Sequence, residues 1–261
     1  VEFNCKGRDS MKTVAVYGLT AGTGKTSVAK EMAGFIHQFG QKTLLVDLDL
    51  NKGNITDKLG LNESPNIGSW LIEIIKKMNT SPCWEITYKP EEIQPFIQQH
   101  NSGLHVLASN TKKNLDHSPF LLSSLEIIIR SLLKSAFDVV VFDTNSEVRD
   151  YTIELILRVD KVLLVVEPFG FSLQNAEMFL RLLVDEGISM DRFGLVFNRF
   201  PTFAEDDPQE ISRSLGIPLC GVLPNYPNLS EKKNQTKILT TKKSSRFSQE
   251  LRQVLGKVWG D

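Results

Sequence analysis

The stretch TVAVYGLTAGTGKT, residues 13–26, sets an apolar strand, a glycine-bearing turn and a Gly24-Lys25-Thr26 ending in immediate succession. That order suits phosphate. A helix opening at Gly24 presents unpaired N–H groups and the positive end of its dipole. In the pattern G-x-x-x-x-G-K-[ST], such N–H groups cradle phosphates, the lysine reaches the outer ones and the hydroxyl takes Mg²⁺. Gly22, Gly24, Lys25 and Thr26 fit those parts, with Ala21, Thr23 and Ser27 completing the candidate loop. The strict pattern's first glycine falls on Leu19, with Gly18 one position early. An ordinary strand–turn–helix corner with a surface lysine is the bare alternative, and the strand before and helix after weigh against it.

The elements that must position this loop are read from apolar runs and periodicity. Strands are expected over 13–17, 42–46, 104–108, 138–142, 161–166, 193–197 and 218–222. Helices are expected over 24–39, 67–78, 119–134, 146–158, 173–186, 208–215 and 246–259. Leucine-rich turns follow the second strand. The span 79–103, with Pro82, Pro90 and Pro95, reads as irregular, with one short helix near 91–99. Strands that are apolar throughout and alternate with helices predict an α/β domain. Its sheet is mainly parallel and twisted, covered by helices on both faces. No repeat, low-complexity tract or linker interrupts it, so one domain is expected.

Ligands of such sheets sit beyond the carboxyl ends of the strands. Lys25, Asp47, Asp49, Asp143, Asn198 and the pair Pro224-Asn225 all follow strand ends. Three carboxylates beside a phosphate loop suggest Mg²⁺ held through oxygens and waters. An acid after the second strand would grip a ribose hydroxyl in a dinucleotide fold. That fold's G-x-G-x-x-G loop lacks the G-K-T ending, so a triphosphate is the better reading. Asp47 and Asp49, one residue apart, point alike in extended backbone and could both face the phosphates. Asp49 is the candidate to orient a water for attack on the γ-phosphate.

At 261 residues and 41% hydrophobic, the chain supports one large core, or at most two small ones. Its net charge of −1 divides into +5 from Glu231 onward and −6 before it, which marks the tail as a candidate contact for an anionic surface. Cys5, Cys83 and Cys220 form no C-x-x-C pair, against a metal or redox motif and compatible with a reducing cytoplasm. The apolar runs are strand-length, too short for a membrane span. Residues 1–10 are polar and unpatterned and read as an N-terminal extension or a cloning remnant. Met11 looks like a natural start, and the domain is expected over 11–261.

The segments GLTAGTGKTS, LLVDLDLNKGNITDKLG, FDVVVFDTNSE, VDKVLLVVEP, LVFNRF and GIPLCGVLPN together resemble the MinD/ParA family of deviant-Walker P-loop ATPases. The similarity runs in the family's order from Met11 to about Leu239. DLDLNKGN and FDVVVFDTNSE, with VEP and NR, look most like the CpaE/TadZ branch, which helps place pilus-assembly machinery in bacteria. The resemblance implies ATP or ADP with Mg²⁺ and a nucleotide-dependent homodimer. It implies Lys25 as the Walker lysine and Thr26 as a Mg²⁺ ligand. Asp47 and Asp143 would hold Mg²⁺-bound waters, and Asp49 would position the attacking water. Asn198 and the backbone at Pro224-Asn225 would recognise adenine. Asn54 matches a dimer-contact asparagine.

Two departures stand out. The family's signature lysine, in K-G-G-x-G-K-T, falls on Thr20, and the next glycine on Ala21. A threonine cannot carry charge to a partner's phosphates, so part of the electrostatic stabilisation of the transition state is missing. The family's Asp-x-Pro is Asp143-Thr144-Asn145. The expectation is an ATP-binding, slowly hydrolysing positioning factor, cytoplasmic or peripheral at the inner membrane or a cell pole. A non-hydrolysing scaffold and a DNA-segregation ATPase are the alternatives. On the last helix, Phe247, Leu251, Val254, Leu255, Val258 and Trp259 form one stripe, read first as docking on the sheet. Contact of the basic tail with membrane or DNA is the alternative. His37, His100, His105 and His117 show no ligand spacing.

Overall fold

The central strands of the sheet are runs rich in Val, Leu and Phe whose side chains alternate between two apolar layers. The computed structural model describes residues 11–50, 54–109, 119–201, 206–226, 236–241 and 246–259. The expectation for residues 1–10, and His117, lie outside them. In chain order the strands and helices are β1 (Lys12–Tyr17), α1 (Lys25–Gln38), β2 (Thr43–Asp47), α2 (Asn54–Leu59), α3 (Ile67–Met78), α4 (Pro90–Ile93), β3 (Gln98–Gln99) and β4 (His105–Leu107). They continue as α5 (Leu121–Leu132), β5 (Val139–Asp143), α6 (Asp150–Arg158), β6 (Lys161–Val166), α7 (Gly170–Asp185), β7 (Phe193–Phe200), α8 (Pro208–Leu215), β8 (Leu219–Pro224) and α9 (Arg246–Trp259).

The eight strands order as β3-β4-β2-β5-β1-β6-β7-β8, all pairs parallel except β3 with β4. Alternation sorts the side chains. Val14, Val16, Val139, Val141, Leu163 and Val165 point to the layer of α1 and α9. Ala15, Tyr17, Val140, Phe142, Leu164 and Val166 point to the layer of α3, α5, α6 and α7. A sheet buried on both faces requires this near-continuous apolar content.

Three local differences from the sequence reading have physical causes. The turns after β2 contain α2, whose start is held by Asp47 Oδ2 accepting from the Ile55 N–H at 3.2 Å. The irregular span ends in β3, a two-residue polar edge strand with no apolar signal. Helix α6 begins at Asp150 rather than 146, because residues 144–147 are used to line the site.

The segment 236–241 straps α1 down. Glu31, fully buried, accepts from the Thr240 N–H at 2.9 Å, while Lys30 Nζ donates to the Lys237 carbonyl at 2.8 Å. Helix α9 is docked on β8. Phe247, Leu251, Val254, Leu255 and Val258 are buried, and a Cβ on Gly221 would lie 2.3 Å from Val254 Cγ2. A membrane could take that stripe only by undocking the helix. No helix among the described residues is long and apolar enough to cross a membrane.

Candidate functional site

The loop leaving β1 turns through Gly22 and Gly24, with φ of 85° and 90°. Only glycine adopts that region without strain. Gly24 caps α1 and brings no side chain to the cap, and the first helical bond runs from the Val28 N–H to the Gly24 carbonyl. The N–H groups of Lys25, Thr26 and Ser27 therefore have no partner within the helix. These residues line a cleft of about 610 Å³ at the carboxyl edge of the sheet.

Lys25 is 7% exposed. Its Nζ donates to Ser146 Oγ at 2.6 Å and to the Thr20 carbonyl at 3.2 Å. Its stem lies against Gly18, where a Cβ would meet Lys25 Cδ at 3.2 Å and the Val165 carbonyl at 2.4 Å. The early glycine is thus a packing requirement. Two residues from β7 brace the loop. Asn198 Nδ2 donates to the Thr23 carbonyl at 2.7 Å, and Arg199 Nη1 donates to the Gly22 carbonyl at 2.8 Å and to Glu167 Oε1 at 2.9 Å.

Asp47 and Asp143 are paired in register at the ends of β2 and β5, and both are buried. Asp47 is spent on its own backbone, accepting from the N–H groups of Asp49 at 2.9 Å and Ile55 at 3.2 Å. Burial and the neighbouring Asp143 still push its pKa well up. Among the described residues, neither oxygen of Asp143 has a hydrogen-bond partner. Burial pushes Asp143 up to about 7, against the pull of Thr26, Lys58 and Lys25. Burial likewise lowers Lys25, with Asp143 and Asp49 opposing and Lys58 reinforcing. A buried carboxylate pair that cannot comfortably ionise is a seat for a cation. Among the described residues no three His, Cys, Asp or Glu side chains cluster as a metal site. Mg²⁺ would therefore rest on Thr26 and Asp143, with phosphate oxygens and water filling the remainder.

Ala21, Gly22, Gly24, Lys25, Thr26, Ser27, Asp49, Asn54, Asn198 and Asn225 all line the cleft. Thr20, Thr23, Pro224, Asp47 and Asp143 stand behind or beside it. Asp47 and Asp49 do not aim alike: β2 ends at Asp47, so strand alternation stops before Asp49, which alone of the two lines the cleft. Thr20 Oγ1 accepts from Asn175 Nδ2 on α7 at 3.4 Å. Sequence reasoning missed Lys30, Lys58, Ser146, Arg199 and Tyr226, which also line the cleft. The Asp143-Thr144-Asn145 loop is secured without proline. Thr144 Oγ1 donates to the Val16 carbonyl at 3.0 Å, and Asn145 Nδ2 to the Tyr151 hydroxyl at 2.7 Å.

Residues 11–186 match the family described as AAA domain. The chain belongs to this family, in the MinD/ParA group of P-loop ATPases. The antiactivator FleN of Pseudomonas aeruginosa is 26% identical over 190 residues, 72% of this chain. The match spans 61% of that protein's length. A ParA-family ATPase from Chlorobium tepidum shares the fold with a TM-score of 0.78 at 16% identity, covering 97% of this chain and 100% of that one. MinD of Pyrococcus horikoshii, complexed with Mg-ADP, gives 0.70 at 19% identity, covering 95% and 96%. At these identities the structural likeness is one of fold.

Proposed function

We propose that this chain binds ATP or ADP with Mg²⁺ in the cleft, hydrolyses ATP slowly, and uses the nucleotide to control dimerisation and a protein partner. One observation carries the reading: a buried lysine at the open N-terminus of α1, and near it a buried carboxylate whose oxygens find no well-aligned hydrogen-bond donor among the described residues. Lys25 would trade its bonds to Ser146 and the Thr20 carbonyl for phosphate oxygens, and the loop N–H groups would cradle the rest. Bound Mg²⁺ would neutralise charge on the β- and γ-phosphates. Asp49, half-exposed at the cleft wall, would orient the attacking water. Asn198 and Asn225 would face the base, with Asn198 also bracing the loop. Thr20 and Asn54 would meet the partner subunit. The relative complexed with Mg-ADP supports the cofactor assignment.

Slow turnover follows from Thr20. A neutral hydroxyl supplies none of the charge stabilisation that a lysine there would supply. With both chains binding ATP, Thr20→Lys is expected to raise the steady-state hydrolysis rate about tenfold or more. Equal rates in the two chains would refute slow hydrolysis through Thr20. The wording DLDLNKGN and FDVVVFDTNSE supports a CpaE/TadZ-like positioning role in bacterial pilus assembly, with the chain cytoplasmic or peripheral at the inner membrane or a pole. A nucleotide-binding scaffold without useful hydrolysis is the second reading, favoured by the same Thr20. ParA-like DNA segregation has the basic tail in its favour, and Lys232, Lys233, Lys242 and Lys243 of that tail lie outside the described residues.

A further inference from the structure

Among the described residues, four cationic side chains line the cleft: Lys25, Lys30, Lys58 and Arg199. Three have their donors engaged. Lys25 is held by Ser146 and the Thr20 carbonyl, and Arg199 by the Gly22 carbonyl and Glu167. Lys30 is held by the Lys237 carbonyl and by Glu31 at 3.1 Å. Lys58 differs, for among the described residues its ammonium makes no hydrogen bond and no ion pair.

Its mounting is firm. Helix α2 is fixed at its start by the Ile55 N–H on Asp47 and by Thr56 Oγ1, which donates to the Ser109 carbonyl at 3.1 Å. Ile55 and Leu59, on either side of Lys58, are buried. The side chain is half-buried and feels the attraction of Asp143, Asp47 and Asp49, yet stands off from all three. A lysine serving only to neutralise acids would close onto one of them. Among the described residues, then, a donor with unspent N–H bonds lines the cleft, a carboxylate with unpartnered oxygens stands beside it, and the two leave each other unbonded. A ligand carrying phosphate oxygens toward Lys58 and a cation toward Asp143 satisfies both.

We propose that Lys58 is a second phosphate-binding cation, supplied by the chain's own α2, that contacts the outermost phosphate of ATP. The inference rests on the nucleotide reading of the cleft. Lys25 rises from the loop that would cradle the inner phosphates, and Lys58 comes from the wall that carries Asp49, where the γ-phosphate would lie. It restores within one chain part of the positive charge that position 20 lacks.

The test is equilibrium titration of the full chain with Mg-ATP and Mg-ADP, for the native protein, Lys58→Met and Lys58→Arg. Lys58→Met is expected to weaken ATP about tenfold while ADP shifts less than about threefold. Lys58→Arg should retain ATP within about threefold, since a guanidinium also binds phosphate. A solvated structural lysine would leave the ATP-to-ADP affinity ratio unmoved in Lys58→Met, and that result overturns the proposal alone. Equal weakening of both nucleotides, unrescued by arginine, overturns it as well. If the native chain binds neither nucleotide, the reading of the cleft falls and this inference with it. Should Lys58→Met fail to fold, Lys58→Gln is titrated with the same criteria.

Discussion

Gly24→Ala is expected to lose nucleotide binding and to unfold about 3 kcal/mol more easily than the native chain, as read by denaturant titration. Two costs combine at this residue. The backbone φ of 90° is strained for any side chain, and the new Cβ would lie 2.2 Å from Asn198 Nδ2. Asn198 cannot yield freely, because it is 8% exposed and its amide holds the Thr23 carbonyl. Moving it strands a buried donor and acceptor and releases the loop whose N–H groups must face the ligand. Gly22→Ala is the control. Its φ is similar, at 85°, but nothing lies within 4 Å of the added Cβ, so only the backbone cost of about 1 kcal/mol remains. Equal losses in the two variants would show that the Asn198 brace is not what fixes the loop.

The second large effect concerns Asp143 and carries an unusual sign. Its folded pKa of about 7 lies above the ordinary 3.8. Between those values the folded chain keeps a proton that the unfolded chain has released, so stability falls as pH rises through this window. Asp143→Asn removes the titration. It is expected to stabilise the nucleotide-free chain by up to about 4 kcal/mol at pH 8, with the gain vanishing below about pH 4. The same change should weaken Mg-ATP by more than about tenfold, because an amide is a poor stand-in for a carboxylate near Mg²⁺. Thermal unfolding from pH 4 to 8 checks the first part and titration the second. A gain independent of pH, or a loss at pH 8, would contradict the account of the buried carboxylate pair.

The sheet was legible because its strands are buried on both faces. Runs such as Val139–Phe142 and Val162–Val166 have no other use in a chain of this size. Helix α3 was legible through Ile67, Trp70, Leu71 and Ile74, which recur at helical spacing and are all buried. Helix α2 was hidden, since its six residues NITDKL show no full period and its register depends on Asp47 across the turn. Strand β3 was hidden because two glutamines on a sheet edge carry no apolar alternation.

The site divides the same way. Gly24, Lys25 and Thr26 were readable because adjacent residues in one loop do one task. The partners that hold them were not, since Ser146 and Arg199 reach the loop across 121 and 177 positions of sequence. Lys58 went unnoticed because nothing in NITDKL announces which way its lysine faces. Asp49 lines the cleft, but strand alternation with Asp47 does not aim it there, since the strand ends before it.

The central claim is that the cleft over α1 is a nucleotide site, and equilibrium titration of the full chain with Mg-ATP and Mg-ADP tests it most directly. With particle mass followed in parallel by light scattering, the account predicts saturable binding of both nucleotides near one per chain, and a shift to dimer with ATP. Absence of binding by either nucleotide up to about 1 mM would contradict it.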